Sequence, residues 1–494
     1  MMLDIPVFLA QGEGFLAENK VPIFIGALLL SVMAGVVVSR SDVLKRLCFV
    51  GFMATLVYPA VDINFLVDRN FVGVPSARGI YITAADLFGL ILVTAMLLEV
   101  SELRIRWKFP GLLPYLAYIT VSAVSITNML SYPPAGFPNP AYAYGIFELF
   151  NAVKGLLVFW VMVNFIRGEK EIRLTLFLMI SALVFEAAVA FYHQYVLHLY
   201  TRSFGTLTHP NCLAMFIGMI LPMVMVLMLS TKRGGAVPWL LGAVFIVGIA
   251  LLLKTVSRGG LIAMLISCSL AGALIVLRVR RLHAMRIALM IILVGFVGAG
   301  LMYKFWDTIT TRFGGTSIEA AGSNFARLAM FKAGVDIWLQ NPIVGNGLNS
   351  YPIEISMNRR GTLVIAEAHN IYLLTLCEIG VLGLLAFLAI FFRIFQVAVR
   401  LMRQNLSPGL RILSIGLTCG MVHMLIQSAF EFVFRIVFIQ YLCWIFAAIL
   451  ISSWYMLQNQ AAQIRMARLA FARRMAAART GVQRPAPQYG SSTK

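Results

Sequence analysis

Three stretches of this chain place a phosphate-binding or proton-accepting side chain where chemistry is feasible. The first is Lys254-Thr255-Val256-Ser257-Arg258-Gly259-Gly260, at the end of an apolar run. A guanidinium forms paired, charge-assisted hydrogen bonds to phosphate, and the two glycines allow a ligand close to the backbone. The second is Arg327, at the start of a short amphipathic segment. A positive charge in the first turn of a helix opposes the helix dipole, so it gains nothing locally and favours an anionic partner. The third is His369, in Ala368-His369-Asn370, where the chain leaves a polar segment for an apolar one. A neutral imidazole near an anionic ligand can accept a proton, and Asn370 is a good N-cap for the next helix. Plainer accounts stay open: a snorkelling Arg258, a solvated Arg327, and a His369 that merely precedes a cap.

Two arginines and one histidine suit chemistry on a lipid diphosphate. The arginines would stabilise the charge that develops on a diphosphate leaving group. A sugar hydroxyl is a weak nucleophile and benefits from a base.

The elements that must position these residues are membrane spans. The chain has 494 residues, 60% of them hydrophobic and 12% charged, against about 25% charged in a soluble domain. Apolar runs of bilayer-crossing length recur. They fall at 22–38, 47–65, 80–98, 111–129, 148–166, 174–198, 211–229, 237–253, 260–277, 287–303, 371–392, 412–430 and 436–457. No strand alternation competes with them, so the expected class is all-α polytopic, with about 12–13 transmembrane helices and one large extracytoplasmic loop. No cleaved signal peptide is expected, because the N-terminus lacks a basic region and a small-residue cleavage site.

A net charge of +20 would suggest nucleic acid on a soluble chain. Here its distribution argues otherwise, and no nucleic-acid partner is expected. Basic residues cluster on alternate loops, as at Arg40, Lys45 and Arg46, at Arg167, Lys170 and Arg173, and at Arg278, Arg280, Arg281 and Arg286. The positive-inside rule then puts the N-terminus outside and the C-terminal tail in the cytoplasm. The expected organisation is transmembrane helices 1–10 over 1–303, an extracytoplasmic loop over 304–370, helices 11–13 over 371–457, and a basic cytoplasmic tail over 458–494. The tail reads as a membrane-surface anchor followed by a Pro/Gly/Ser-rich end.

Within the loop, Phe325, Leu328, Phe331, Val335 and Trp338 recur at helical spacing, which predicts an amphipathic helix over 324–340. Ser323 or Asn324 would cap its start, and Asn341-Pro342 would end it. Gly345-Asn346-Gly347 permits tight or left-handed backbone, and Ile355–Leu363 reads as a surface loop. The six cysteines lie in or beside apolar spans without metal-ligand spacing, so neither a disulfide framework nor a metal site is expected. No cofactor is expected either, since no glycine-rich phosphate cradle follows a strand.

The motif set resembles the O-antigen ligase and O-antigen polymerase superfamily of bacterial inner membranes. The resemblance rests on Gly205-Thr206-Leu207-Thr208-His209-Pro210-Asn211, Ser257-Arg258-Gly259, and Arg327 followed by Asn341-Pro342-Ile343-Val344-Gly345-Asn346-Gly347. Ala368-His369-Asn370-Ile371-Tyr372 and Glu378-Ile379-Gly380-Val381-Leu382-Gly383 complete it. One departure is Phe331, where the family often has Trp.

The resemblance implies a metal-independent membrane glycosyltransferase of GT-C-like fold, with its active site on the periplasmic face of the inner membrane. It implies that Arg258 and Arg327 hold an undecaprenyl-diphosphate-linked glycan donor and that His369 acts on the acceptor. Lys254, His209, Asn211 and Asn370 join the expected substrate-binding set. The acceptor would be a glycan or lipid A-core, and polysaccharide chain-length and export proteins would be partners.

Polymerisation of O-antigen or exopolysaccharide repeat units is the preferred reading, with the extra first span and long tail in its favour. A ligase that joins glycan to lipid A-core is the alternative. A glycolipid flippase is the rival from another class. It would want charge deep in the spans, for which Asp86, Lys154, Glu186 and Glu378 are the candidates. The aromatic, proline-rich loop at 130–147 could stack on sugar or form an interfacial belt.

Overall fold

The computed structural model describes residues 20–57, 62–67, 79–99, 105–132, 139–199, 202–207, 209–231, 235–278, 318–358 and 368–479. Among them, ten helices are long and apolar enough to cross a membrane, so the chain is a polytopic α-helical membrane protein. The expected span 287–303 and the tail beyond 479 lie outside the described residues.

The helices are α1 (Lys20–Ser39), α2 (Asp42–Val57), α3 (Ala84–Leu98), α4 (Leu112–Ile126), α5 (Ala141–Phe165), α6 (Glu169–Phe191) and α7 (Pro210–Ser230). They continue as α8 (Val237–Thr255), α9 (Arg258–Arg278), α10 (Ile318–Gln340), α11 (Tyr351–Asn358), α12 (Ile371–Arg403), α13 (Pro408–Gln427) and α14 (Val437–Arg479). The centre of the bundle is α7 with the membrane part of α14. Almost every side chain there is buried in protein, whereas α1 faces outward along most of its length. A helix that is apolar all round is the kind that can be enclosed by others.

Several expectations are corrected. Runs 47–65 and 80–98 are not two plain spans. A short hairpin, β1 (Asp62–Val67) against β2 (Gly79–Thr83), takes the end of one and the start of the other. It is antiparallel, with Asp62 opposite Thr83 and a register irregularity between Asn64 and Leu66. The alternation Asp62-Ile63-Asn64-Phe65 was a strand signal, hidden inside a hydrophobic window. Thr83 then caps α3 in a reciprocal box with Asp86, which also accepts from Lys154 of α5 at 2.9 Å and from the Tyr441 hydroxyl.

The amphipathic helix begins at Ile318 rather than 324. Ser323 and Asn324 are therefore inside α10 and do not cap it, and Arg327 sits in its third turn. Glu319, Ala320 and Ala321 propagate a helix readily and carry Gly322, Ser323 and Asn324 within it, although they add nothing to its apolar stripe. The expected surface loop 355–363 begins as the end of α11, and residues 359–367 are outside the described set. The expected border at 457/458 is crossed by a continuous helix: α14 runs 43 residues, about 65 Å.

The Asn-Pro-Ile-Val-Gly-Asn-Gly motif has a structural role. α12 is interrupted at Gly380 (φ 66°, ψ −170°), which frees backbone groups on both sides of the kink. The loop after α10 takes them up. Asn346 N and Gly347 N donate to the carbonyls of Cys377 and Glu378, both at 2.9 Å. Val381 N and Leu382 N donate to Pro342 O and Ile343 O at 2.9 and 3.2 Å. A Cβ at Gly345 would lie 2.4 Å from the Glu378 carbonyl, and one at Gly380 would lie 2.2 Å from Ile343 O. Only glycine allows two backbones this close. Asn346 secures the loop, donating to Ile337 O at 2.6 Å.

The described ends of the loop at 130–147 meet this region. The Tyr132 hydroxyl donates to the Glu354 carboxylate and lies 3.1 Å from Asn346 O. Tyr144 is fully buried, edge-on to Phe147 at 5.7 Å. Tyr132 and Tyr144 are thus engaged by the scaffold, whereas Tyr142 of the same loop is exposed.

Candidate active site

The site is built at the bundle end where α7, α9 and α12 begin. His209 precedes α7, and its Nδ1 accepts from Asn211 N at 3.1 Å. Pro210, in the first turn, needs no hydrogen-bond partner there. On the neighbouring corner, Val256 takes the left-handed conformation (φ 51°). It ends α8 and turns the chain into α9 at Arg258. Arg202 ties the two corners together. Its Nε donates to Thr255 O at 2.9 Å and its Nη2 to Asn211 Oδ1 at 3.4 Å. The Lys254 ammonium lies 5.0 Å from the centre of the Tyr195 ring, within cation–π range.

The third corner is His369-Asn370. His369 is left-handed (φ 48°), and Asn370 caps α12, accepting from Tyr372 N and Leu373 N at 2.9 and 3.0 Å. Ile371 N donates to Ser428 O at 2.9 Å, which docks this corner on the segment 428–436 between α13 and α14. The same segment meets the start of α9, since a Cβ at Gly259 would lie 3.0 Å from Phe430 Cβ. Gln427, at the end of α13, donates to Asn211 O at 2.9 Å. All the corners thus share one end of the bundle.

At their centre is Glu431. One carboxylate oxygen lies 3.0 Å from His369 Nδ1, and the other accepts from Arg327 Nη2 at 2.6 Å. The Glu431 side chain is 4% exposed, whereas Arg327 and His369 are each 31% exposed. A buried carboxylate therefore bridges two groups that face outward. Phe432 packs edge-on against His369 at 5.6 Å. Burial works against ionisation of Glu431. The hydrogen bond from His369 and the positive charge of Arg327 outweigh it and hold the carboxyl below its ordinary range. Around His209, loss of water favours the neutral ring; Glu431 opposes this, Arg202, His369 and Arg327 reinforce it, and the ring stays below the usual histidine range.

The arrangement assigns the imidazole its roles. An ionised carboxylate only accepts, so Nδ1 of His369 is the donor and Nε2 is left to accept. A carboxylate that orients a histidine in this way is a recurring element of acid–base sites. Arg327 is bonded to Glu431 through Nη2 and its side chain stays 31% exposed, so the guanidinium can still meet a further anion.

The structure places His369, Arg327, Arg258, His209 and Lys254 at one end of the bundle. Asn211 and Asn370 are there too; Asn211 is buried, with Oδ1 accepting from Arg202 and its main-chain carbonyl from Gln427, and Asn370 Oδ1 caps α12. The dipole argument for Arg327 does not survive, because Arg327 is not in a first turn; its anionic partner within the protein is Glu431. Sequence reasoning missed Glu431. The available signal was a lone carboxylate in the apolar run Phe430-Glu431-Phe432-Val433-Phe434, which costs free energy to bury without a cation. Among the described residues no three His, Cys, Asp or Glu side chains converge as metal ligands do.

The deep charges named for a transporter are engaged locally. Asp86 pairs with Lys154, Glu186 accepts from Thr206, and Glu378 pairs with Arg435.

Residues 242–388 match the family model described as O-antigen ligase. The match bears out the resemblance to the O-antigen ligase and polymerase superfamily, and it contains Arg258, Arg327 and His369, while His209 and Glu431 fall outside it. No curated protein matches the chain.

Proposed function

With an O-antigen ligase domain as premise, we propose that this protein is a glycosyltransferase of the bacterial inner membrane that takes its glycan from undecaprenyl diphosphate on the periplasmic face. The observation that carries this reading is the Arg327–Glu431–His369 chain, set at the same bundle end as Arg258. Arg258 and Arg327 hold the diphosphate. The acceptor hydroxyl approaches Nε2 of His369. As its oxygen bonds to the anomeric carbon of the donor, the bond from that carbon to the diphosphate oxygen breaks. The electron pair leaves with undecaprenyl diphosphate, and the hydroxyl proton passes to Nε2. Glu431 keeps Nδ1 protonated and stabilises the imidazolium that forms. The arginines meet the charge developing on the leaving group, where preorganised donors have their largest effect. No nucleotide or metal takes part in this scheme.

The preferred reaction is polymerisation of O-antigen or exopolysaccharide repeat units. The description of the matching family favours the second reading, transfer of finished glycan to lipid A-core. Purified protein given an undecaprenyl-diphosphate-linked glycan and both acceptors, a lipid-linked repeat unit and lipid A-core, separates the two. Elongated lipid-linked product supports the polymerase, glycan on lipid A-core supports the ligase, and transfer to neither acceptor overturns the proposal.

A further inference from the structure

Segment 428–436 carries opposite charges four residues apart, Glu431 and Arg435, and both are directed to the same element. Glu431 meets His369, one residue before the cap of α12. Arg435 Nη1 lies 2.5 Å from Glu378 Oε2, about two turns into that helix. The two elements are joined twice, with acid and base exchanged. Arg435 Nε also donates to Glu148 Oε1 of α5 at 2.9 Å, which fixes the segment to a second helix. The Arg435, Glu148 and Glu378 side chains are 6%, 6% and 1% exposed. Between the clusters the chain has little freedom, because Arg435 N donates to Phe432 O at 2.9 Å and Ile436 N to Val433 O at 3.0 Å. α12 is itself held at Glu378, whose carbonyl accepts from Gly347 N at 2.9 Å.

Side chains this buried offer a sugar almost no surface, and the cavity beside Glu148 and Gln440 measures ≈ 20 Å³, room for about one water. Nor does a buried ion pair earn its place through stability, since apolar residues of similar volume do as well or better. What it supplies is fixed position. We propose that Arg435, anchored by Glu378 and Glu148, is a positioning residue that sets Glu431 between His369 and Arg327. The inference rests on the reading of His369 as the base.

The test is a double-variant cycle on full-length protein in lipid nanodiscs, with an undecaprenyl-diphosphate-linked glycan as donor and a lipid-linked repeat unit or lipid A-core as acceptor. Arg435→Lys keeps the charge but not the fork. It should lower kcat about 10- to 100-fold and leave the donor KM within about 2-fold, the pattern of an interaction made in the transition state. In a Glu431→Gln background the same change should cost less than about 3-fold, since no carboxylate remains to be placed and coupled sites are not additive. Glu378→Gln, which leaves Arg435 its Glu148 partner, should repeat both results and serves if Arg435→Lys does not fold. Full multiplication of the losses in the double variant overturns the proposal, as does unchanged kcat in both single variants. Failure of both to fold would assign the cluster to the scaffold alone and overturn it too. If His369→Gln keeps wild-type turnover, the underlying reading fails instead, and the cycle reports that separately.

Discussion

At the scale of the residue, the account turns on a carboxylate. Glu431→Gln keeps the side-chain shape and removes the charge, so Nδ1 of His369 loses its fixed acceptor. Turnover should fall within the range of a misplaced base, about 10²-fold or more, while donor binding persists through the arginines. The same variant gives a pH prediction. The Glu431 carboxyl is held below its ordinary value of 4.5, so its ionised form stabilises the fold at every pH above that value. The contribution is lost as pH falls through the lowered folded value. Wild type should therefore melt above Glu431→Gln at neutral pH, and the two should converge as pH falls through the lowered carboxyl value. A margin undiminished below that value would contradict the assignment. Arg258→Ala and Arg327→Ala should each cost on the order of 10²-fold in rate, with partial recovery in the Lys variants; wild-type glycan output from both Ala variants at normal protein levels would refute the diphosphate role. Arg258, Arg327 and His369 could be picked from the sequence because charged groups are rare in it. Glu431 could not be matched to them, since its partners lie 62 and 104 positions away and meet it only in the folded bundle.

At the scale of the element, the kink of α12 holds the site in place. Gly345 and Gly380 each face backbone that a Cβ would strike, at φ values of 83° and 66°. Gly345→Ala or Gly380→Ala should destabilise the protein by roughly 3 kcal/mol, seen as a lower melting temperature in detergent. A wild-type melting curve for both would deny the clip. Asn370→Ser should be mild and Asn370→Ala should cost about 1 kcal/mol, because the cap of α12 is a side-chain oxygen taking two backbone donors. The Gly-Asn-Gly motif was legible as tight backbone, but its partner was not, because Gly380 lies inside a run that reads as unbroken helix. The β1–β2 hairpin was hidden for a similar reason: a window long enough to find a span averages over four residues of alternation. The start of α10 was misplaced because an apolar stripe marks only the part of a helix that packs, whereas the helix extends wherever its residues permit.

At the scale of the whole molecule, the membrane class and most spans were legible, because length and hydropathy are local properties. Orientation was inferred from charge alone. A reporter active only outside the cytoplasm should be active when fused after Asn358 and silent after Arg479; the reverse pattern would put the site on the wrong leaflet for its donor. The central claim is that an outward-facing histidine, held by Glu431, takes the acceptor proton. The most direct measurement is transfer by purified His369→Gln protein from an undecaprenyl-diphosphate-linked glycan, with donor binding measured on the same preparation. Glutamine keeps a hydrogen-bonding side chain but accepts no proton at neutral pH. The account predicts bound donor and turnover lowered by about 10²–10⁴-fold, and turnover near that of the wild type would contradict it.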